Sequence, residues 1–317
     1  MLFPQQCSEV LPVVARRPAR YGARRNQRVR TRIIGDKRKG VRPLLEFLWH
    51  GSASVALRWP GAEFLLDPCF SGKEDYGDWY WPNEHRPDWD RYRSAHHPTH
   101  VFITHGHYDH FDLETGKKLE AAFRPTFLGS PEVIAAVHRY LAVPAERTIA
   151  LRDGDSLDLP GGARLKAMQG VHWITGEEGD IAARKLDRPD RYGVMPAGGP
   201  MLAVWLDVAG HSIYISGDNE LKGIPNESVD VAVMSVGSVM PHPATKVYDR
   251  PIVTVDEASL AVRYRLKPRL TIPVHWDHSA WIEPVDVPRL GRELEKAGLP
   301  MLVAPYHQAV DLEGLLA

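Results

Sequence analysis

The chain has 317 residues, of which 44% are hydrophobic and 25% are charged. This mix is typical of globular proteins and excludes collagen-like, coiled-coil and wholly disordered chains. No stretch approaches the roughly 18 uncharged apolar residues of a membrane span, so an integral membrane protein is also excluded. The two cysteines, Cys7 and Cys69, cannot build a disulfide scaffold or a thiolate-rich metal site. Such sparse cysteine is typical of reducing compartments, and we expect a cytoplasmic protein.

Positive charge is concentrated at the N-terminus. Residues 1–43 hold ten arginines and two lysines against Glu9 and Asp36, a net charge of +10, so the remainder carries −11. Because no apolar periodicity runs through this segment, we predict a flexible basic arm at 1–43 and one folded domain at 44–317. The arm is either a solvated tail or a contact for an anionic partner, such as nucleic acid or a membrane surface.

Deleting residues 1–43 is expected to leave the fold unchanged, because the segment has no apolar pattern to bury. Thermal unfolding of the truncated chain measures the effect. A large drop in melting temperature would show instead that the arm packs on the folded domain.

Strands and helices alternate along the rest of the chain. Apolar runs predict strands at 44–49, 54–59, 63–67, 101–104, 147–151, 156–159, 164–169, 201–208, 212–216, 229–236, 270–274, 301–304 and 309–312. Helical spacing appears at 113–123, 131–141, 255–266 and 287–297. Residues 69–100 read as a long aromatic-rich loop, which either packs on the body or forms the lip of a substrate site. Residues 180–199 read as a polar insertion. Runs of strands with helices between them predict an α/β fold, two β-sheets sandwiched by helices.

One loop concentrates potential metal ligands. The run Thr104-His105-Gly106-His107-Tyr108-Asp109-His110 directly follows an apolar strand, where α/β sheets place ligand-binding loops. Imidazole is a common metal ligand at neutral pH, and imidazoles with a carboxylate suit zinc or a similar ion. A tight loop here can direct His105 and His107 to one point and Asp109 and His110 to a second.

Three further candidates follow other predicted strands. His172 comes after 164–169, Asp218 after 212–216 and His275 after 270–274. Each alone is compatible with a surface histidine or a turn-forming aspartate. Together with the loop they make seven potential ligands, all at strand ends.

These motifs resemble the metallo-β-lactamase superfamily over about residues 44–280. The opening run Trp49-His50-Gly51-Ser52-Ala53-Ser54 and the strand end Leu66-Asp67-Pro68 are most similar to one branch. That branch contains ascorbate-6-phosphate lactonase and the phospholipase D that acts on N-acylethanolamine phospholipids. Ser52 departs from the branch, which has histidine there. The resemblance implies an αββα sandwich, in which two mixed sheets are flanked by helices.

The resemblance also implies a dinuclear hydrolase acting on a small molecule. One divalent cation would take His105, His107 and His172, the second would take Asp109, His110 and His275, and Asp218 would bridge them. Zinc is favoured, with manganese and ferrous iron as alternatives. Asp109 and Asp218 are the implied catalytic residues. A hydroxide held by the metals would attack an ester, a lactone or a phosphodiester.

Two other functions remain open. A mononuclear iron-dependent oxygenase of the same fold would leave part of the ligand set without metal. A non-enzymatic nucleic-acid-binding protein would use the basic arm, although the acidic remainder of the chain disfavours a broad phosphate-binding face. Candidate helper residues near the ligands are Tyr108, Tyr248, Asp277 and His278.

Overall fold

The protein is described here by a computed structural model. It describes residues 45–78, 80–172, 193, 195, 198–241 and 248–317, with backbone alone at 241, 248 and 249. The predicted arm at 1–43 lies outside the described residues, as does most of the predicted insertion at 180–199.

The first sheet has seven strands. They are β1 (Glu46–Trp49), β2 (Val55–Trp59), β3 (Ala62–Leu66), β4 (His100–Ile103), β5 (Thr126–Gly129), β6 (Thr148–Ala150) and β15 (Val310–Asp311). Their order across the sheet is β15-β1-β2-β3-β4-β5-β6. The strands β3 to β6 run parallel, whereas β1 is antiparallel to both of its neighbours. The sheet is therefore mixed.

The second sheet has six strands. They are β7 (Ser156–Leu159), β8 (Ala163–Gln169), β9 (Leu202–Val208), β10 (His211–Ile215), β11 (Val231–Ser235) and β14 (Leu270–Val274), in the order β14-β11-β10-β9-β8-β7. β10, β11 and β14 are parallel, and the pairs around β9 are antiparallel. A separate ribbon joins β12 (Met240–Pro241) to β13 (Tyr248–Asp249).

Among the described residues, capping side chains mark where six of the seven α-helices begin. The helices are α1 (Lys73–Tyr76), α2 (Trp89–Ala95), α3 (Leu113–Phe123), α4 (Pro131–Leu141), α5 (Val255–Leu260), α6 (Val287–Lys296) and α7 (Leu312–Leu316). Short 3₁₀ turns lie at Ala145–Arg147, Pro160–Gly162 and Leu221–Gly223. Asp112 caps α3, Ser130 caps α4 ahead of a proline, and Thr254 forms a capping box on α5. These caps satisfy backbone N–H groups that the first turn leaves unpaired.

Alternating side chains divide the interior into three layers. Phe47 and Trp49 of β1 join Val204 and Leu206 of β9 in one buried cluster between the two sheets. The intervening residues of each strand face outward: the outer face of the first sheet packs on α3 and α4, and that of the second on α5 and α6. Side chains alternate between the two faces of a strand, so each strand contributes to the layer between the sheets and to one outer layer. The predicted αββα sandwich is confirmed.

The structure corrects four sequence-based assignments. The segment 69–100 is not a continuous loop but contains α1 and α2, and Tyr80 and Tyr92 within it are fully buried. The helix predicted at 255–266 changes to π-helical geometry at Ala261–Leu266. The strand predicted at 301–304 is a single bridge at Met301, and most of 309–312 is the short β15 followed by α7. Local propensity does not encode these boundaries, because tertiary context overrides it.

Both sheets place strand ends at one edge of the sandwich. β3 and β4 run parallel, so Asp67 and the loop that begins at Thr104 emerge side by side. In the second sheet β8 and β10 are both antiparallel to β9, and β10 is parallel through β11 to β14. The segments that follow β8, β10 and β14 therefore leave the sheet in the same direction.

A buried histidine pair ties the first strand to the C-terminal segment. His50 follows β1, is fully buried, and places its Nδ1 3.2 Å from Nδ1 of His307. The backbone N–H of His307 donates to the carbonyl of Trp49 at 2.8 Å. Burial lowers the pKa of His50 well below its usual value, helped by the charges of His96 and His307, and burial also lowers the pKa of His307. The contact therefore requires at least one neutral ring.

This pair is expected to make folding sensitive to acid. The unfolded chain binds protons at these rings below about pH 6.5, whereas the folded chain resists protonation, so stability is lost as pH falls from 6.5 towards the lowered pKa. For His50 the free energy of unfolding should therefore fall as the pH is lowered from 7 to 5. Urea unfolding with EDTA present measures this loss, and it should be smaller in His50→Leu. His211→Leu, at the partly exposed first residue of β10, is the matched control. Equal losses in wild type and His50→Leu would contradict the assignment.

Candidate metal centre

Three imidazoles converge beyond the ends of β4 and β8. The Nδ1 atom of His107 lies 2.9 Å from Nε2 of His105 and 3.1 Å from Nε2 of His172. Nitrogens bound at about 2.0 Å to one tetrahedral zinc ion lie about 3.3 Å apart, close to these spacings. These three residues, the first ligand group, could hold a metal ion.

Hydrogen bonds at the remote nitrogens fix two of these rings. Nδ1 of His172 donates to the carbonyl of Pro251 at 3.0 Å. Nδ1 of His105 lies 3.0 Å from Oγ1 of Thr104, whose own hydroxyl donates to Asp67 at 2.7 Å. A hydroxyl that donates its hydrogen elsewhere can accept from the ring. In both rings the hydrogen therefore lies on Nδ1, and the Nε2 lone pair faces the other ligand atoms.

A second group gathers two carboxylates and two imidazoles, Asp109, His110, Asp218 and His275, all buried. Nε2 of His110 lies 3.1 Å from Oδ2 of Asp218, and Nε2 of His275 lies 3.4 Å from Oδ2 of Asp109. Nε2 of His110, Nε2 of His275 and Oδ1 of Asp218 have no hydrogen-bond partner among the described residues. Buried polar atoms without partners are costly, so this convergence fits a cation that would satisfy them.

Asp67 holds both the loop and one of its ligands. Its Oδ1 accepts the backbone N–H of Thr104 at 2.8 Å, and its Oδ2 accepts Nδ1–H of His110 at 2.8 Å. Asp67 is fully buried and adopts φ +47°, in the left-handed region. A carboxylate on the remote nitrogen fixes the tautomer of a ligating histidine and raises its basicity.

Ser52, from the opening motif Trp49–Ser54, holds the backbone of His275 in place. The carbonyl of Ser52 accepts the backbone N–H of His275 at 2.9 Å, and the N–H of Ser52 donates to the Asp277 carboxylate at 3.0 Å. The hydroxyl of Tyr306 donates to the same carboxylate at 3.1 Å. Ser52 and His275 both have positive φ, +47° and +65°. Serine and histidine seldom adopt this conformation, and surrounding contacts must offset its cost.

The two groups differ in charge. Desolvation lowers the pKa values of His105, His107 and His172, so their lone pairs are available. Desolvation also opposes charge on His110, but Asp218 and Asp109 outweigh it and raise its pKa well above the usual value. The pKa of Asp218 is lowered despite desolvation, mainly by the charge of His110. A cation entering the second group would replace protons on its imidazoles.

All seven predicted ligands therefore lie at one edge of the sandwich, in two adjoining groups. The centroids of the His105 and His110 rings, one from each group, are 4.1 Å apart. Of the candidate helpers, Asp277 acts on Ser52 rather than facing the ligands, and the side chain of Tyr248 lies outside the described residues. Asp67 lies outside the seven predicted ligands, although an aspartate before proline at a strand end is a visible signal.

The geometry agrees with comparisons to known proteins. Residues 62–276 match the profile of the beta-lactamase superfamily domain, and the chain belongs to the metallo-β-lactamase superfamily. Among curated relatives, a UPF0173 metal-dependent hydrolase of Staphylococcus aureus is 25% identical over 248 residues, covering 75% of this chain and 89% of the relative.

Solved structures share the fold at low sequence identity. Igni18, a metallo hydrolase from Ignicoccus hospitalis, aligns with TM-score 0.58 at 16% identity, covering 84% of this chain and 97% of Igni18. CmlA, a diiron β-hydroxylase from Streptomyces venezuelae, aligns with TM-score 0.58 at 18% identity, covering 85% of this chain and 54% of CmlA. At such identity the likeness establishes the fold alone. Among the described residues, no helix has the length and apolar character that a membrane crossing requires.

Proposed function

We propose that this chain is a dinuclear metal-dependent hydrolase. The observation that carries the proposal is the set of seven ligand atoms in two adjoining groups at one edge of the fold. The first group, His105, His107 and His172, would hold one divalent cation. The second, Asp109, His110, Asp218 and His275, would hold another. Imidazole with carboxylate suits zinc, with manganese and ferrous iron as alternatives.

Asp218 is the residue best placed to bridge the two ions. Its Oδ2 lies among the second group, 3.1 Å from His110 and 3.6 Å from His275. Its Oδ1 is buried without a hydrogen-bond partner among the described residues, and its charge also acts on His172 of the first group. A carboxylate offering one oxygen to each side would fix the separation of the cations.

The chemistry proposed is hydrolysis of an ester, a lactone or a phosphodiester. Two divalent cations held by these two groups would supply a water of lowered pKa as the nucleophile and a Lewis acid for the substrate oxygen. The protein would hold these partners in place: Asp109 and Asp218 supply negative charge, and Asp67 and Pro251 orient the imidazoles of His110 and His172. Buried surroundings strengthen each of these electrostatic contacts.

The opening motif supports a finer assignment to the branch of ascorbate-6-phosphate lactonase and the phospholipase D that acts on N-acylethanolamine phospholipids. Trp49 and Ser52 participate in supporting His275, since Nε1 of Trp49 donates to the Ser52 carbonyl at 2.9 Å. The serine at 52, where that branch has histidine, leaves the choice between lactone and phosphodiester to experiment.

The other two functions receive less support. A mononuclear oxygenase needs one group only, yet four buried side chains assemble a second. The likeness to a diiron hydroxylase concerns the fold and carries no activity to this chain. A nucleic-acid-binding protein would not require the buried, converging ligand atoms of either group.

Metal analysis and turnover measurements test the proposal together. Purified full-length chain is expected to hold two zinc ions, to lose hydrolysis after chelation, and to regain it with added zinc. The substrate panel comprises lactones, phosphodiesters and phospholipids. One tightly held iron ion per chain, with oxygen consumption on a thiol substrate, would refute hydrolysis and favour the oxygenase.

A further inference from the structure

His278 is an eighth polar residue at the edge of the second group. It follows β14 by four residues, and only 6% of its surface is exposed. Its Nε2 lies 3.4 Å from Oδ2 of Asp109 but has no hydrogen-bond partner among the described residues. A buried polar atom directed at a ligand group without a partner calls for an explanation.

The Nδ1 atom of His278, which points away from the second group, accepts a hydrogen bond, whereas Nδ1 of the ligand His172 donates one. Nδ1 of His278 accepts the backbone N–H of Ala280 at 3.3 Å, so the neutral ring carries its hydrogen on Nε2. In His172, by contrast, Nδ1 donates to an oxygen and Nε2 keeps its lone pair. A metal ligand needs a lone pair at the coordinating nitrogen, and the tautomer of His278 does not provide one there.

We propose that His278 is a hydrogen-bond donor to the substrate rather than a cation ligand. Its Nε2–H would bind a carbonyl or phosphoryl oxygen of a substrate placed beside Asp109. The inference rests on the proposed hydrolase function and deepens it, because it identifies the substrate as one that presents an acceptor oxygen at the second cation. Donors directed at the oxygen where charge develops contribute strongly to hydrolysis.

The turn that carries His278 holds this donor in a fixed direction. The N–H of His278 donates to the carbonyl of His275, and the N–H of Trp281 donates to the carbonyl of His278, both at 3.3 Å. Nε1 of Trp281 also donates to the His275 carbonyl at 2.9 Å. The ligand and the proposed donor thus belong to one hydrogen-bonded turn, and the donor needs little reorganisation when substrate binds.

Zinc and inorganic phosphate are the probes that distinguish a hydrogen-bond donor from a cation ligand at residue 278. His278→Phe keeps an aromatic ring but removes the N–H. It is expected to bind two zinc ions with wild-type affinity in a chelator competition. Phosphate affinity of the zinc-loaded protein, measured by calorimetry, should fall about ten- to a hundredfold, as expected for one hydrogen bond to a charged group. His278→Gln, whose amide can donate, should recover part of this loss. His211→Leu is the matched control and should change neither quantity.

Two results would overturn the donor role. Loss of one zinc ion from His278→Phe would make His278 a ligand, and unchanged phosphate affinity would show that it contacts no bound oxygen. If His278→Phe does not fold, His278→Met takes its place, since it also lacks an N–H and is more flexible. A wild-type chain that binds fewer than two cations would overturn the dinuclear proposal and this inference together. A two-cation wild type with a one-cation variant would overturn this inference alone.

Discussion

Replacing Asp218 with alanine is expected to abolish turnover and to lower the cation content below two per chain. Asp218 contacts His110 and His275 through Oδ2, while its buried Oδ1 has no other hydrogen-bond partner among the described residues. Its removal would disturb both cations at once. The loss in kcat should exceed the roughly 10–100-fold typical of residues that only orient a ligand.

Steady-state kinetics on any substrate found in the panel, with elemental analysis of each variant, measures both effects. Asp207→Ala is the matched control, because Asp207 is an exposed carboxylate on β9 of the same sheet. It should keep both cations and wild-type kcat. If Asp218→Ala also retained two cations and near-normal kcat, the bridging role would be wrong.

The strand-end ligands could be predicted because their positions follow from local patterns. An apolar strand followed by His-x-His-x-Asp-His is recognisable within ten residues, and His172, Asp218 and His275 each follow a strand that alternation or apolar runs reveal. The αββα sandwich could be predicted for the same reason. Alternate side chains of β1 and β9 pack either between the two sheets or in an outer layer under the helices. The sequence pattern and the structure agree wherever a single strand determines where a residue lies.

The residues that orient the ligands could not be predicted in this way. Asp67 supports His110 across 43 positions, because β3 pairs in parallel with β4 and brings the two strand ends together. Asp277 reaches Ser52 across 225 positions. The tautomer of His278 depends on the backbone of Ala280 in a turn without periodicity. Such contacts arise from tertiary pairing, which propensity and spacing do not encode.

Replacing Asp67 with asparagine is expected to lower both the stability of the fold and the affinity for one cation. The carboxylate of Asp67 accepts three hydrogen bonds, from the backbone and hydroxyl of Thr104 and from His110. Asparagine fits the left-handed backbone of this residue, but its amide NH₂ must face one of these donors. Asp67→Asn should therefore cost about 3 kcal/mol of unfolding free energy. It should also lower the affinity for one cation about 10–100-fold, because His110 loses its orienting carboxylate.

Asp112→Asn separates the two consequences. Asp112 is also a buried carboxylate with several donors, among them Ser71, Tyr76 and Thr115, but it caps α3 and touches no ligand atom of the proposed site. Urea unfolding and chelator competition on both variants give the comparison. Asp112→Asn should lose stability while keeping both cation affinities, whereas Asp67→Asn should lose both properties. Equal cation affinities in the two variants would show that Asp67 supports the fold alone, and that the position of His110 does not depend on it.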